Sequence, residues 1–170
     1  IPPHNQRRVS EDAVKEIEPA VGQLILSFAI LEQAVDLLLM SSLRLAPGTK
    51  VPFGFADKLD LLRRTFSEDP SLLRWKDRVL AAMGAADDLA QVRNAIAHGA
   101  LSHSIEGAEP ALVFARLRYE KAEGLHYGRD HAITFRVIRT ASEGASDLVM
   151  GIHAIIMEVG DTLPDRDVPT

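Results

Sequence analysis

The stretch from Gln91 to Gly99 reads Gln-Val-Arg-Asn-Ala-Ile-Ala-His-Gly and gathers an arginine, an amide and an imidazole. On a helix turning about 100° per residue, Leu89, Val92 and Ile96 share the face that must meet a core. Asn94 and His98 are four apart and stack on nearly the opposite side. Asp87 and Gln91 extend that polar stripe backward. Arg93 falls between the core edge and the stripe, and its side chain is long enough to swing over Ala97 toward His98. An arginine presents a planar fork of donors that suits a phosphate. A histidine titrates near neutrality and can give or take a proton.

Together these groups suit attack of an RNA 2′-hydroxyl on the adjoining phosphate. Arg93 would stabilise charge on the phosphorane oxygens, His98 would move a proton, and Asn94 would orient His98 or the substrate. The nucleophile is the RNA's own hydroxyl, so no metal or cofactor is expected, and the products would be a 2′,3′-cyclic phosphate and a 5′-hydroxyl. One helix supplies one histidine, whereas this chemistry has two proton-transfer roles. A two-fold dimer would bring a second Arg93 and His98 to the same cleft. The same residues also suit a plain helix end, because Arg and His in a last turn meet the negative end of the helix dipole.

The elements that must carry this segment are mostly helical. Ser10 with Glu11 and Asp12 is an N-cap signal, and a first helix is predicted from there to about Leu43, with Pro19 able to split off a short lead-in. Val21, Leu24, Ile25, Phe28, Leu31, Val35, Leu38 and Leu39 follow the i, i+3, i+4 rhythm of an amphipathic helix. Leu26, Ile30 and Leu37 widen the stripe, so the helix should be buried in a core or an interface. Ala46-Pro47-Gly48 ends it. A shorter helix over Pro52 to Ser67 places Phe55, Leu59, Leu62 and Phe66 on one side. A third, Ser71 to His98, carries Leu72, Trp75, Val79, Met83, Leu89, Val92 and Ile96, has Gly84 as a point of bending, and is stopped by Gly99. From Ala100 to Phe135 the rhythm changes to partial alternation with turn signals at Ile105-Glu106-Gly107, Glu123-Gly124 and Tyr127 to Asp130, which predicts a small irregular β-hairpin insert over 100–134. A last helix runs from about Phe135 to Leu163 with Val137, Ile138, Leu148, Ile152, Ile155, Ile156 and Val159, and Pro164 ends it. Residues 1–9 and 164–170 read as loose termini.

The 170 residues fit one domain, here 1–170, large enough to bury its own core. Hydrophobic residues at 46% and charged residues at 25% match an ordinary globular protein. The absence of cysteine excludes disulfides and thiolate chemistry, and it fits a reducing compartment. A net charge of -5 argues against a general nucleic-acid coat without excluding a local basic groove. The opening IPPHNQRRVS shows no signal-peptide pattern. The apolar run Val21 to Leu43 has the length of a membrane span, but Glu32, Gln33 and Asp36 in its middle would be costly in lipid. A cytoplasmic protein with no membrane partner is expected.

The string Arg93-Asn94-Ala95-Ile96-Ala97-His98-Gly99 resembles the signature of HEPN domains, an arginine and a histidine separated by four to six residues, often with asparagine after the arginine; here the spacing is four. The long first helix with Phe28-Ala29-Ile30-Leu31-Glu32 and the second with Phe55-Ala56-Asp57-Lys58-Leu59 are similar to that family's arrangement. The resemblance covers about Val21 to His98 well and the last helix loosely. It implies an all-α bundle of four to five helices, a homodimer with two signatures facing one cleft, and Arg93, Asn94 and His98 as catalytic residues. Many such proteins are ribonucleases in toxin–antitoxin, phage-defence or CRISPR-linked systems, so an RNA substrate and an antitoxin or nucleotidyltransferase partner are implied. Others are inactive scaffolds that bind RNA or proteins, which is the alternative for this chain. The relatives silenced by nucleotide transfer carry a tyrosine two residues after the histidine, where this chain has Ala100.

Other residues are weaker candidates. Glu32 and Asp36 are four apart on one helix face, a spacing that can hold a metal, but no Glu-x-x-His follows to complete a di-metal set. Glu32 is instead expected to pair with a base, with Arg93 one candidate, and Glu32 and Asp87 are held as accessory residues. His103, His126 and His131 fall in the insert, where they either gather or stand as separate polar groups. Lys58, Arg63, Arg64, Arg74, Lys76 and Arg78 either guide an RNA backbone or form a solvated face balanced by Glu68, Asp69 and Asp77. No glycine-rich phosphate loop, nucleophile elbow or aromatic stacking ladder occurs.

Overall fold

The computed structural model describes residues 11–43, 50–105, 111–115, 117–120, 124–127 and 131–162. The Ser10 cap, the Ala46-Pro47-Gly48 stop, both loose termini and the turn at 128–130 lie outside the described residues. The protein is mostly helical. Its elements are α1 (Glu11–Leu43), α2 (Phe55–Glu68), a short 3-10 turn (Leu73–Trp75), α3 (Lys76–His98), strands β1 (Ala100–Ile105), β2 (Ala111–Ala115), β3 (Leu117–Glu120), β4 (Gly124–Tyr127) and β5 (His131–Thr134), and α4 (Phe135–Thr162).

Pro19 does not split α1, which runs unbroken through it. A proline removes one backbone donor and crowds the preceding turn. Pro19 is exposed, and Ile17 and Leu24 on either side of it are buried, so tertiary packing holds the helix across the defect. Gly84 likewise sits inside a continuous α3.

The described residues pack as two compact units. The first comprises α1 up to Phe28, α3 from Leu89, the strands, and α4 up to Gly144. Its core is Ile17, Leu24, Ile96, Leu112, Phe114, Ile133, Ile138 and Ala141, with Val21, Leu89, Val92, Ala95 and Phe135 packed against it. Inside it a buried hydrogen bond of 3.1 Å joins the hydroxyls of Ser27 and Ser142. The second unit comprises α1 from Ala29, α2, the 3-10 turn, α3 up to Asp88, and α4 from Ala145. Its buried side chains recur at helical spacing: Leu31, Ala34, Val35, Leu38 and Leu39 on α1, Leu59, Leu62 and Phe66 on α2, and Val79, Met83 and Ala86 on α3.

The insert is larger than the single hairpin predicted. β1, β2 and β5 form an antiparallel three-stranded sheet in that order, and β3 and β4 form a separate hairpin. The alternating run Ala111 to Tyr119 is two strands in two sheets, β2 and β3. Short strands drawn from different parts of an insert carry little periodicity, so their pairing is set by tertiary contact. β2 is the centre of the larger sheet, and Ala111, Leu112, Val113 and Phe114 are all buried. A register shift between Leu101 and His103 marks a bulge in β1.

Four apolar residues of α1 that the sequence assigns to burial stand outside both cores. Leu26 is 57% exposed, Ile30 44%, Leu37 46% and Ile25 39%. Met40 on the same helix is 60% exposed. On α4, Val137 is exposed as well. A helix can turn only one stripe toward its own core, and these residues fall on the remainder.

Candidate functional site

The end of α3 carries Arg93, Asn94 and His98, all within the first unit. Ile96 is locked in the core, with Leu89, Val92 and Ala95 against it, so this stretch of helix cannot rotate and the remaining positions face outward. Gln91, Ala97 and His98 are exposed, and Arg93 and Asn94 are half-buried. Among the described residues His98 makes no hydrogen bond or ion pair.

The Arg93 side chain meets Phe28 on α1 and its neighbour Asn94. Its guanidinium carbon lies 4.8 Å from the centroid of the Phe28 ring, within the range of a cation–π contact worth about 0.5–2 kcal/mol. Its Nη1 donates a 2.8 Å hydrogen bond to Asn94 Oδ1. Asn94 thus engages Arg93 through its carbonyl oxygen, and among the described residues no hydrogen bond joins it to His98. Phe28 itself is 1% exposed and fixed in the unit's interior. Its part in the site was not legible from spacing, because it sits on α1, far from Arg93 in the chain.

Gly99 follows His98 for a different reason from the one its position suggests. Its φ lies outside the left-handed range, so no special backbone conformation is needed. What it supplies is space. A Cβ at Gly99 would overlap the Ala95 carbonyl oxygen and come within 2.7 Å of Phe114 Cβ. The helix end carrying His98 is thereby held tight against β2.

The accessory candidates are Glu32 on α1 and Asp87 on α3. Glu32 and Asp87 belong to the second unit. Glu32 is half-buried. Asp87 lies 3.5 Å from Arg63. Asp36, the other half of the candidate metal pair, lies 2.6 Å from Lys58 Nζ. The approach is off the angle of a directed hydrogen bond, so the contact is one of charge. Among the described residues no three His, Asp or Glu side chains cluster to hold a metal ion. The three histidines of the insert are dispersed along the backbone: His103 is on β1 and His131 on β5, at opposite edges of the three-stranded sheet, and His126 is on β4 of the other sheet.

Of the basic residues along α2, the 3-10 turn and α3, Lys58, Arg63 and Arg78 are paired with acids. Arg63 bonds Asp60 at 2.7 Å and the Met83 carbonyl at 3.0 Å. Arg78 bonds both carboxylate oxygens of Glu158, at 2.9 and 2.7 Å, and Trp75 Nε1 donates to the same carboxylate at 2.9 Å. Arg74 lies over the Trp75 ring at 3.7 Å and donates to Thr162 Oγ1. The Arg78 and Trp75 donors hold the Glu158 carboxyl below its ordinary range. Asp69 accepts from the backbone and hydroxyl of Ser71, closing the turn from α2 into the 3-10 segment.

No protein-family model, no curated protein and no solved structure matches this chain.

Proposed function

We propose that this chain is a metal-independent endoribonuclease of the HEPN type. It cleaves RNA by 2′-hydroxyl attack to leave a 2′,3′-cyclic phosphate and a 5′-hydroxyl, in stress response, a toxin–antitoxin pair or phage defence. The observation that carries the reading is the end of α3. There a guanidinium held by Phe28 and Asn94 and an exposed, unpaired imidazole are carried by one core-anchored helix. Arg93 is the group that meets phosphate charge, His98 moves a proton, and Asn94 acts through Arg93. A homodimer supplies the second imidazole, and the exposed apolar residues of α1 support one. A cytoplasmic location belongs to this reading. By length and composition Ile17–Leu43 of α1 could cross a membrane, but the Lys58 contact to Asp36 and the buried stripe support a helix packed in protein.

The test is cleavage of a mixed RNA pool in excess EDTA by the native chain, Arg93→Ala and His98→Ala. Cleavage by the native chain with cyclic phosphate ends is expected. Loss of about 10²–10³-fold is expected for Arg93→Ala, and about 10²–10⁴-fold for His98→Ala. Equal cleavage by all three chains rejects the site. The net charge of -5 and the local pairing of Arg63, Arg74 and Arg78 favour a second reading, a catalytically silent HEPN-like module that binds a partner protein or RNA. No cleavage by the native chain would move the assignment there.

A further inference from the structure

We infer that Phe28 is a positioning residue for Arg93, its ring face fixing the plane in which the guanidinium meets an anionic phosphate oxygen; this rests on the nuclease reading for its biological use but not for its test. Two constraints converge on one side chain. The Phe28 ring lies 4.8 Å from the guanidinium carbon, and Asn94 Oδ1 accepts from Nη1 at 2.8 Å. A ring face limits tilt of the guanidinium plane, and an in-plane hydrogen bond limits its rotation. The ring is a firm support, because Phe28 is 1% exposed on a helix whose neighbouring Leu24 is in the core cluster. The bond to Asn94 is equally firm, because Asn94 follows Arg93 on a helix locked by Ile96. Such fixing raises rate rather than ground-state affinity alone, since a fork already aligned need not reorganise as charge develops on the phosphate oxygens.

The contact depends on the negative face of the ring, which fluorination weakens with little change in shape. The experiment replaces Phe28 with 4-fluorophenylalanine and with 3,5-difluorophenylalanine in the full chain, with thermal unfolding to confirm the fold. Phe28→Leu is a further variant that keeps apolar volume and removes the ring. The readout is Arg93 guanidinium rotation by nitrogen-15 NMR, with the signal assigned by its loss in Arg93→Ala, and its shift on titration with inorganic phosphate. Rotation is expected to speed up with each added fluorine, by about threefold to tenfold at two, with weaker phosphate binding in step. Unchanged rotation, or faster rotation with undiminished phosphate binding, overturns the role. In RNA cleavage the same series is expected to lower kcat with little change in KM. A native chain that cleaves no RNA removes the nuclease reading while leaving the NMR result to decide on Phe28. A native chain that cleaves, with kcat unchanged across the series, rejects Phe28 while leaving the nuclease intact.

Discussion

At the scale of single residues, the arrangement separates the two charged groups by how they are held. Arg93 is engaged from two directions, whereas His98 stands exposed with no hydrogen-bond partner among the described residues. Asn94 therefore acts on the arginine, and this gives Asn94→Ala a signature. Cleavage is expected to fall by about tenfold, the scale of a lost charge-assisted hydrogen bond, while the pH–rate profile keeps its midpoints because no hydrogen bond to His98 is removed. A displaced midpoint would return Asn94 to the histidine. The outward and inward faces of this helix were legible from the wheel, since Leu89, Val92 and Ile96 at helical spacing leave only one way to bury it. The destination of the Arg93 side chain was not. A long flexible side chain has many rotamers within reach, and the ring that captures it comes from another helix that periodicity cannot align with it.

At the scale of elements, the junction from α3 to the sheet and the junction from the 3-10 turn to α4 make separate predictions. Gly99 was legible as a stop, but the reason is the close approach of Phe114, and sheet pairing is what the sequence shows least. The neighbour that obstructs a Cβ there includes the backbone of Ala95, which cannot step aside. Gly99→Ala is expected to destabilise by about 1–3 kcal/mol, the usual cost of overpacking, as a lower urea midpoint with an unchanged slope. A neutral result would mean that the helix end yields. At the other junction, the Glu158 carboxylate takes donors from Arg78 and Trp75 and is held below its ordinary range. A carboxyl depressed in the folded state contributes stability at pH above its unfolded value and loses it as pH falls through its folded value. Trp75 is the sole tryptophan, so its fluorescence reports this joint directly. The signal is expected to change at a lower pH than an ordinary carboxyl would give. Glu158→Gln should abolish that acid step, and a step centred at or above the ordinary value of a glutamate carboxyl would contradict the assignment.

At the scale of the whole molecule, the question is what covers the apolar residues of α1 that neither core uses. Leu26, Ile30, Gln33, Leu37 and Met40 follow one another at alternating steps of four and three, the spacing of a seam between two helices. The four apolar members are between 44% and 60% exposed. Sequence periodicity marked α1 as apolar nearly all round, yet it could not divide its residues between a chain's own core and a partner, because both demand the same residue types. The proposed reaction supplies an independent reason for pairing, since α3 offers one imidazole for two proton transfers. Leu37→Glu tests both at once. Leu37 is exposed in the single chain, so a charge there should leave the fold and its unfolding midpoint close to native, as surface substitutions do. Light scattering at micromolar concentration is expected to give a dimer for the native chain and a monomer for the variant. RNA cleavage should fall with the dimer and recover as concentration is raised, because a composite site exists only in the paired form. A variant that is monomeric and fully active would place all the proton transfers within one chain, and a native chain that is already monomeric would leave the seam without a second copy.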